Sequence, residues 1–176
     1  MPDFDVVELE PADCPEPGDE APSFERPLVS REFWEDRSLA SLLAGTDGEG
    51  ASVVLVLTPM IGSFVGQYVW DELAERGWDD ADSRVVGVTA STPYAVSSFL
   101  EERDLEFEIF ADPANDVSEA YGIDHALDGM AGIAEPRVAF IEIGTDGVVD
   151  HSWVANEWPE FPDYDDLEDA FDFDLE

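Results

Sequence analysis

Lysine is absent from this chain, and basic residues of any kind are scarce. Seven arginines stand against 44 acidic residues among the 176, which gives a formal net charge of −37 at pH 7. Nucleic acids and anionic membrane surfaces are bound through patches of basic side chains. The charge balance therefore excludes nucleic acid and membrane lipid as expected partners.

Cysteine and long apolar runs are also scarce. The single cysteine, Cys14, rules out a disulfide within the chain. No apolar run approaches the roughly 18 residues of a membrane-spanning helix. The start of the chain, residues 1–5, is acidic and lacks the basic and apolar regions of a secretory signal. We therefore expect a cytoplasmic protein.

The acidic excess has a consequence for stability. A chain this charged could be disordered, but 44% of its residues are hydrophobic, which favours a packed core. In about 1 M salt the Debye length is about 3 Å, so surface carboxylates barely repel one another. In dilute buffer the same charges oppose compaction. The composition resembles that of cytosolic proteins from salt-adapted archaea and predicts that the fold is lost when salt is removed.

Apolar strands alternating with amphipathic helices indicate an α/β domain with a mixed central sheet flanked by helices. Expected strands lie near 52–58, 84–90, 106–111, 137–143 and 148–154, and expected helices near 64–77, 93–104 and 116–121. Residues 31–45 are partly helical in pattern, and residues 159–176 fit a short amphipathic final helix. We divide the chain into an acidic N-terminal segment, residues 1–20, and one domain, residues 21–176, with an acidic tail.

The segment from Val53 to Gly77 is the most informative part of the chain. The apolar run Val53–Leu57 leads into a turn that contains Pro59 and Gly62, and a helical pattern follows as far as Gly77. This pattern predicts a buried strand that delivers a loop to the start of a helix. A helix N-terminus carries free N–H groups and partial positive charge, so it favours an anion or a thiolate.

The spacing Pro59-x-x-x-Ser63-x-x-Gly66 resembles the peroxiredoxin signature, Pro-x-x-x-(Thr/Ser)-x-x-Cys. Other motifs similar to that family follow in its usual order: residues 16–24, Tyr121-Gly122-Ile123, residues 137–142 and Asp146-Gly147. The resemblance covers most of the chain and is closest to the alkyl hydroperoxide reductase/thiol-specific antioxidant branch. It implies a thioredoxin-like fold, thiol-dependent reduction of hydroperoxides, an antioxidant role and no cofactor or metal.

The same resemblance assigns family roles to three residues. Pro59 would shield the site, Ser63 would hold the thiolate and a peroxide oxygen, and Arg137 would supply positive charge. The nucleophile does not carry over, because Gly66 stands where the family has cysteine. For Arg137, holding an anion beside the helix start is one interpretation, and a structural arginine paired with a carboxylate is the other.

Cys14 is the remaining thiol to consider. It lies in residues 13–16, an acidic stretch that we expect to be flexible, and nearby carboxylates should raise its pKa. An incidental thiol, a displaced nucleophile and an intermolecular disulfide all stay open for it. His125 and His151 match no ligand spacing, so we expect ordinary surface or core histidines. The acidic clusters lack the spacing of a calcium loop, so no metal is expected.

Three functions of different classes follow from these residues. The first is a peroxiredoxin-type oxidoreductase, for which Gly66 predicts absent or very weak peroxidase activity. The second is a non-catalytic relative that binds a small anion or a protein through the former active-site face. The third is a structural subunit, which forms a homodimer or pairs with an intact peroxiredoxin.

Overall fold

The computed structural model describes residues 5–45, 48–126, 130–173 and 175. Its strands are β1 (Val7–Glu8), β2 (Glu25–Val29), β3 (Trp34–Ser38), β4 (Val53–Thr58), β5 (Arg84–Thr89), β6 (Glu108–Ala111), β7 (Asp124–Ala126), β8 (Ala134–Pro136), β9 (Ala139–Ile143), β10 (Val149–Val154) and β11 (Glu157–Trp158). Its helices are α1 (Leu39–Ala44), α2 (Phe64–Glu75), α3 (Pro93–Glu102), α4 (Asp116–Ala120) and α5 (Tyr164–Phe171). A short 3-10 turn, Trp78–Asp80, follows α2.

Seven strands form the central sheet in the order β10-β9-β4-β5-β6-β2-β3. The three middle strands β4, β5 and β6 are parallel, and the remaining neighbours are antiparallel. Every residue of β4 is buried, as expected for a strand covered on both faces. The mixed α/β architecture predicted from the sequence is confirmed. No helix in the described part of the chain is long and apolar enough to cross a membrane.

Side chains on the two faces of the sheet form two separate cores. Helices α2, α3 and α5 pack on one face against alternate β4 residues such as Val54 and Val56. Helices α1 and α4 pack on the other face, against Val53 and Leu55. On the α2 face, Gly87 of β5 leaves room for the Trp70 ring, with which a Cβ at this position would collide.

Three expectations about local structure need correction. The pattern of residues 31–45 indicated partial helix, but only α1 is helical, and Trp34–Ser38 forms the edge strand β3. The strand β2 was not predicted, because charged side chains interrupt its apolar alternation. The expected strand at 137–143 starts at Ala139, since Arg137 and Val138 separate β8 from β9. This break places Arg137 in the site described below.

The N-terminal segment is held against the body of the protein. In the pairing of β1 with β11, Val7 lies opposite Trp158. Backbone N–H groups of Asp13 and Gly18 donate to the carbonyls of Gly122 and Val149, at 3.0 and 2.9 Å. The expectation that the stretch around Cys14 is flexible is therefore corrected. The segment also supplies one wall of the cavity described below.

The tail forms the short amphipathic helix that the sequence predicts. Leu167 and Phe171 of α5 are buried against the α2 face of the sheet. Asp163 caps the helix by accepting from the N–H groups of Asp165 and Asp166. Glu168 accepts a 2.8 Å hydrogen bond from Trp78 Nε1, which ties the helix to the 3-10 turn.

Candidate active site

The loop between β4 and α2 is fixed by side chains from neighbouring elements. The Met60 N–H donates to Glu135 Oε2 at 2.8 Å, and the Ile61 N–H donates to Ser91 Oγ at 2.9 Å. These side chains satisfy two backbone N–H groups that no regular secondary structure pairs. The neighbouring residue Thr92 caps α3, where its side chain accepts from the Ala95 N–H.

Pro59 and Ser63 take different positions around this loop. Pro59 is buried, and its carbonyl accepts a 3.1 Å hydrogen bond from Thr89 Oγ1. Ser63 is the residue that precedes α2, but its side chain makes no capping hydrogen bond. The half-buried Ser63 instead lines a cavity with Arg137. Of the three residues with family roles, these two share the cavity, whereas Pro59 lies behind its lining.

Gly66 is buried in the first turn of α2, and its position has room for a side chain. A Cβ built there would lie 3.4 Å from the Pro59 carbonyl oxygen and 3.9 Å from Thr58 Oγ1, which are ordinary contacts. Thr58 Oγ1 is buried and has no hydrogen-bond partner among the described residues. The cysteine position of the signature is therefore a small space beside an unpaired hydroxyl.

Arg137 is 3% exposed, and backbone carbonyls hold its guanidinium. Nε donates to the Ile123 carbonyl at 3.1 Å, while Nη1 donates to the carbonyls of Glu10 and Ala155 at 2.9 and 3.3 Å. Burial lowers the pKa of Arg137, and the charges of Asp124 and Glu10 oppose that shift. An arginine stays protonated in proteins regardless, so the site keeps a positive charge.

Arg137 differs from the other arginines in its partners. The others each form an ion pair with a carboxylate, at shortest distances between 2.6 and 3.4 Å: Arg26, Arg31, Arg37, Arg76, Arg84 and Arg103. Among the described residues, Arg137 forms none, although the chain has 44 carboxylates. The carboxylate partner that one of the two interpretations given above expects is therefore absent from the described residues, and backbone carbonyls take its place.

The cavity has a volume of about 810 Å³. Its lining comes from the β4–α2 loop, the N-terminal segment, the β7–β8 hairpin and β11, and includes Val7, Glu10, Ile61, Ser63, Phe64, Asp124, His125, Met130, Glu135, Arg137 and Trp158. Volumes of several hundred Å³ are typical of sites for small organic molecules. The resemblance predicted a site at the start of α2, and this cavity lies beside it.

His125 and Glu135 face each other across the β7–β8 hairpin. His125 Nε2 lies 3.9 Å from Glu135 Oε1 and has no hydrogen-bond partner among the described residues. Burial, together with the charge of Arg137, lowers the pKa of His125. Burial raises the pKa of Glu135, and the Met60 N–H partly offsets that effect. Both shifts favour the neutral forms of the pair.

Aromatic side chains line the cavity beside these polar groups. The rings of Phe64 and Trp158 meet edge to face, with centroids 5.6 Å apart. The Phe64 ring also meets the ring of Tyr68, with centroids 6.0 Å apart, and Tyr68 is 40% exposed. The Nε1–H of Trp158 is buried and has no acceptor in the described part of the chain. The cavity thus combines apolar walls with a donor that is not used by the protein.

Cys14 lies on the opposite side of the sheet from Gly66. Its half-buried side chain packs against the core that contains α1 and α4, whereas Gly66 belongs to α2 on the other face. Burial, and secondarily the Asp13 charge, raises the pKa of Cys14 to about 11. The sequence predicted a raised pKa for Cys14, and the structure gives the same direction, but burial is a larger cause than the neighbouring carboxylate. A thiol with this pKa is almost fully protonated near neutral pH.

Among the cavity residues that sequence reasoning did not place in a site are His125, Glu135 and Trp158. His125 was expected to be an ordinary histidine, and Trp158 was assigned no site. One signal was present for Glu135, because it stands two residues before Arg137, and residues two apart in an extended chain share a face. The pairing of β1 with β11, which brings Trp158 to the cavity, has no comparable sequence signal.

Comparisons with known proteins bear on the family and the fold of the chain. A family model described as the AhpC/TSA family matches residues 17–152, which is most of the chain. No curated protein matches the sequence.

Solved structures similar to this chain include three proteins with peroxiredoxin activity in their names. A 2-Cys peroxiredoxin of Plasmodium vivax has a TM-score of 0.67 at 17% identity, covering 88% of this chain and 79% of that protein. The peroxidoxin BcpB of Mycobacterium tuberculosis has a TM-score of 0.65 at 21% identity, covering 90% of this chain and 95% of that protein. A thiol peroxidase of Chromobacterium violaceum has a TM-score of 0.70 at 18% identity, covering 94% of this chain and 90% of that protein. These likenesses confirm the predicted thioredoxin-like fold of peroxiredoxin type.

Proposed function

Because the chain belongs to the AhpC/TSA family, we propose that it is a peroxiredoxin-type protein without thiol peroxidase turnover, which binds a small ligand in the cavity of Ser63 and Arg137. The observation that carries this proposal is Gly66, which stands at the position of the nucleophile. Reduction of a peroxide by this route needs an ionised sulfur that attacks one oxygen. Glycine offers no atom for that step.

The remaining side chains of the cavity do not replace the missing sulfur. A serine hydroxyl is a weak nucleophile unless a base activates it. No hydrogen bond joins Ser63 to His125 among the described residues, and His125 lies across the cavity lining on a different element. Cys14 packs on the other face of the sheet, and its raised pKa keeps the thiol protonated. Binding without turnover is the function that this arrangement supports.

The binding part of the proposal rests on Arg137. Its charge is buried, is held only by carbonyls among the described residues and faces a cavity that Ser63 also lines. Such an arrangement suits a small anion or a polar ligand with an acceptor group. The acidic composition supports a salt-rich cytoplasm as the place where the protein works. Pairing with a second copy or with an intact peroxiredoxin stays a prediction.

Peroxide turnover tests the proposal directly. Purified protein in molar KCl is supplied with hydrogen peroxide or an organic hydroperoxide and a dithiol reductant, and peroxide loss is followed over time. We expect the wild-type chain and Cys14→Ser to match the rate without protein, while an intact peroxiredoxin serves as positive control. Turnover that Cys14→Ser abolishes would show that Cys14 is a displaced nucleophile and would overturn the proposal.

A further inference from the structure

The cavity is larger than the small ligands of a peroxide site require. A water molecule occupies about 30 Å³ in the liquid, and hydrogen peroxide or a chloride ion is of similar size. The volume of about 810 Å³ instead lies within the range of sites that enclose small organic molecules. A ligand that fills the space must therefore bring a body of several carbon atoms.

The cavity has buried polar groups, and its exposed part combines apolar side chains with the carboxylates of Glu8 and Glu10. Arg137 and Glu135 are 3% and 4% exposed. Val7 and Met130, which also line the cavity, are 52% and 43% exposed. Exposed apolar side chains cost little at a binding site, because the ligand covers them. The ligand that fits such a lining has a polar head and an apolar tail.

The charges in the lining define the polar head. Arg137 is the permanent cation among the described lining residues. Four carboxylates also line the cavity, and they oppose an anion: Glu8, Glu10, Asp124 and Glu135. Glu8 and Glu10 are exposed, where water and salt screen them. Glu135 already accepts from the Met60 N–H, and its neutral form is favoured by burial.

Asp124 is the remaining carboxylate near Arg137. Its charge favours the protonated arginine, but no oxygen of Asp124 lies within ion-pair distance of the guanidinium, since Arg137 forms no ion pair in the described chain. Carbonyls occupy Nε and Nη1, and no described residue accepts a hydrogen bond from Nη2. The Trp158 Nε1–H is a second donor without an acceptor. Both donors belong to residues that line the cavity, and a carboxylate has two oxygens that can accept from such groups.

We propose that this cavity binds a monocarboxylate with an apolar or aromatic tail, its carboxylate on Arg137 and Trp158 Nε1 and its tail along Phe64, Val7 and Met130. The inference rests on the proposed binding function and names its ligand class. Charge-assisted hydrogen bonds to arginine supply the preference for a carboxylate. The aromatic and aliphatic walls supply most of the affinity through buried apolar area.

Three probes with the same tail and different heads test this inference. Phenylbutyrate, phenylbutanol and phenylbutylamine are titrated into the full chain in molar KCl, and dissociation constants are measured by calorimetry. We expect the carboxylate to bind about tenfold more tightly than the alcohol, the range of one charge-assisted hydrogen bond, and the amine to bind least. Equal binding of carboxylate and alcohol, tighter binding of the amine, or no binding of any probe would overturn the inference.

Variants separate the role of Arg137 from general charge effects. Arg137→Gln is expected to remove the preference for carboxylate over alcohol. Arg103→Gln loses the same charge from a surface ion pair with Asp71 outside the cavity, so it should keep the preference. If Arg137→Gln keeps the preference, the inference is wrong.

Further variants cover the case in which Arg137→Gln does not fold. Arg137→Lys retains the charge and is expected to keep a carboxylate preference. Trp158→Phe retains the ring but removes the Nε1–H, and should weaken carboxylate binding about threefold relative to alcohol. The assigned contacts would be contradicted if Trp158→Phe left the ratio of carboxylate affinity to alcohol affinity unchanged and Arg137→Lys abolished the preference for carboxylate. If no probe binds, the peroxide test of the proposed function is unaffected, so the inference and the proposed function can fail separately.

Discussion

At the scale of single residues, Gly66 is a residue that packing does not require. Its φ angle is not positive, and a Cβ at this position meets its surroundings at ordinary contact distances. Glycine inside a helix costs about 1 kcal/mol relative to alanine. The missing side chain therefore has a local cost in stability and no compensating steric benefit in the described structure.

Gly66→Ala is expected to stabilise the protein by up to about 1 kcal/mol, because alanine gains helix propensity and fits the space. Gly87→Ala is the matched control. It should destabilise by about 1–3 kcal/mol, since its Cβ collides with Trp70 and forces α2 from the sheet. Urea unfolding in molar KCl measures both. A Gly66→Ala variant less stable than wild type would show that the space at Gly66 is smaller than described.

Restoring the thiol tests whether the rest of the site is intact. Gly66→Cys in a Cys14→Ser background places a sulfur in the first turn of α2, where the helix N-terminus stabilises a thiolate. We expect a thiol pKa well below the value of about 11 for Cys14, together with measurable peroxide reactivity. The pH dependence of alkylation gives the pKa.

The wild-type chain, in which Cys14 is the single thiol, is the control for that measurement, and Gly66→Ser supplies an oxygen of similar size that cannot form a thiolate. If the introduced thiol titrates like Cys14 and leaves peroxide untouched, the resemblance covers the fold but not the chemistry of the site.

Sequence comparison alone identified the key site residues only in part. Ser63 and Arg137 could be predicted, because their types and spacing match a known signature. Glu135, His125 and Trp158 could not, since their roles depend on which strands meet. In particular, His125 reaches Glu135 only because β7 and β8 pair in one register.

At the scale of elements, the β7–β8 hairpin couples stability to pH through His125. The lowered pKa of His125 means that the unfolded chain binds the proton more tightly than the folded chain. The contribution of His125 to the free energy of unfolding is fully present above the ordinary histidine pKa of about 6.5. It is lost as pH falls from that value towards the lower pKa of the folded protein. Asp124, Glu135 and Arg137 are the charged or titratable groups that act on this histidine.

We therefore expect the free energy of unfolding of wild type to fall more steeply below about pH 6.5 than that of His125→Asn, by at most about 1.4 kcal/mol per pH unit. The raised pKa of Glu135 acts in the opposite direction and is present in both proteins, so it cancels in the comparison. Urea unfolding between mildly alkaline and mildly acidic pH measures the slopes. Identical slopes would mean that His125 has an ordinary pKa.

Elements whose sequence carries strong patterns were predicted, and elements set by tertiary contact were not. The fully buried β4 and the α2 helix follow from apolar periodicity. The edge strand β3 contains Glu35, Asp36 and Arg37 and forms because β2 pairs with it residue by residue. The strand β1 is two residues long and exists because β11 lies beside it.

At the scale of the whole molecule, charge dominates the expected behaviour. Among the described residues, six of the seven arginines pair with carboxylates, and most acidic side chains there have no basic partner. We expect the melting temperature to rise steeply between dilute buffer and molar KCl, because salt screens repulsion among exposed carboxylates.

Circular dichroism melts across a KCl series check this expectation, and sucrose at matched osmolality controls for effects of excluded solute that do not depend on charge. A melting temperature that is the same in dilute buffer and in molar KCl would show that the surface charges do not limit stability. An equal rise in sucrose would assign the effect to solute exclusion instead.

The room at Gly66 also bears on how such a chain arises and changes. Two of the glycine codons differ from the two cysteine codons at a single base, so the thiol can return by one point mutation. A Cβ at this position meets its neighbours at ordinary contact distances, so the packing around the first side-chain atom does not oppose the change. A gene that encodes Gly66 with either of those two codons lies one mutational step from an encoded thiol at the start of α2, and selection experiments under peroxide stress could start from it directly.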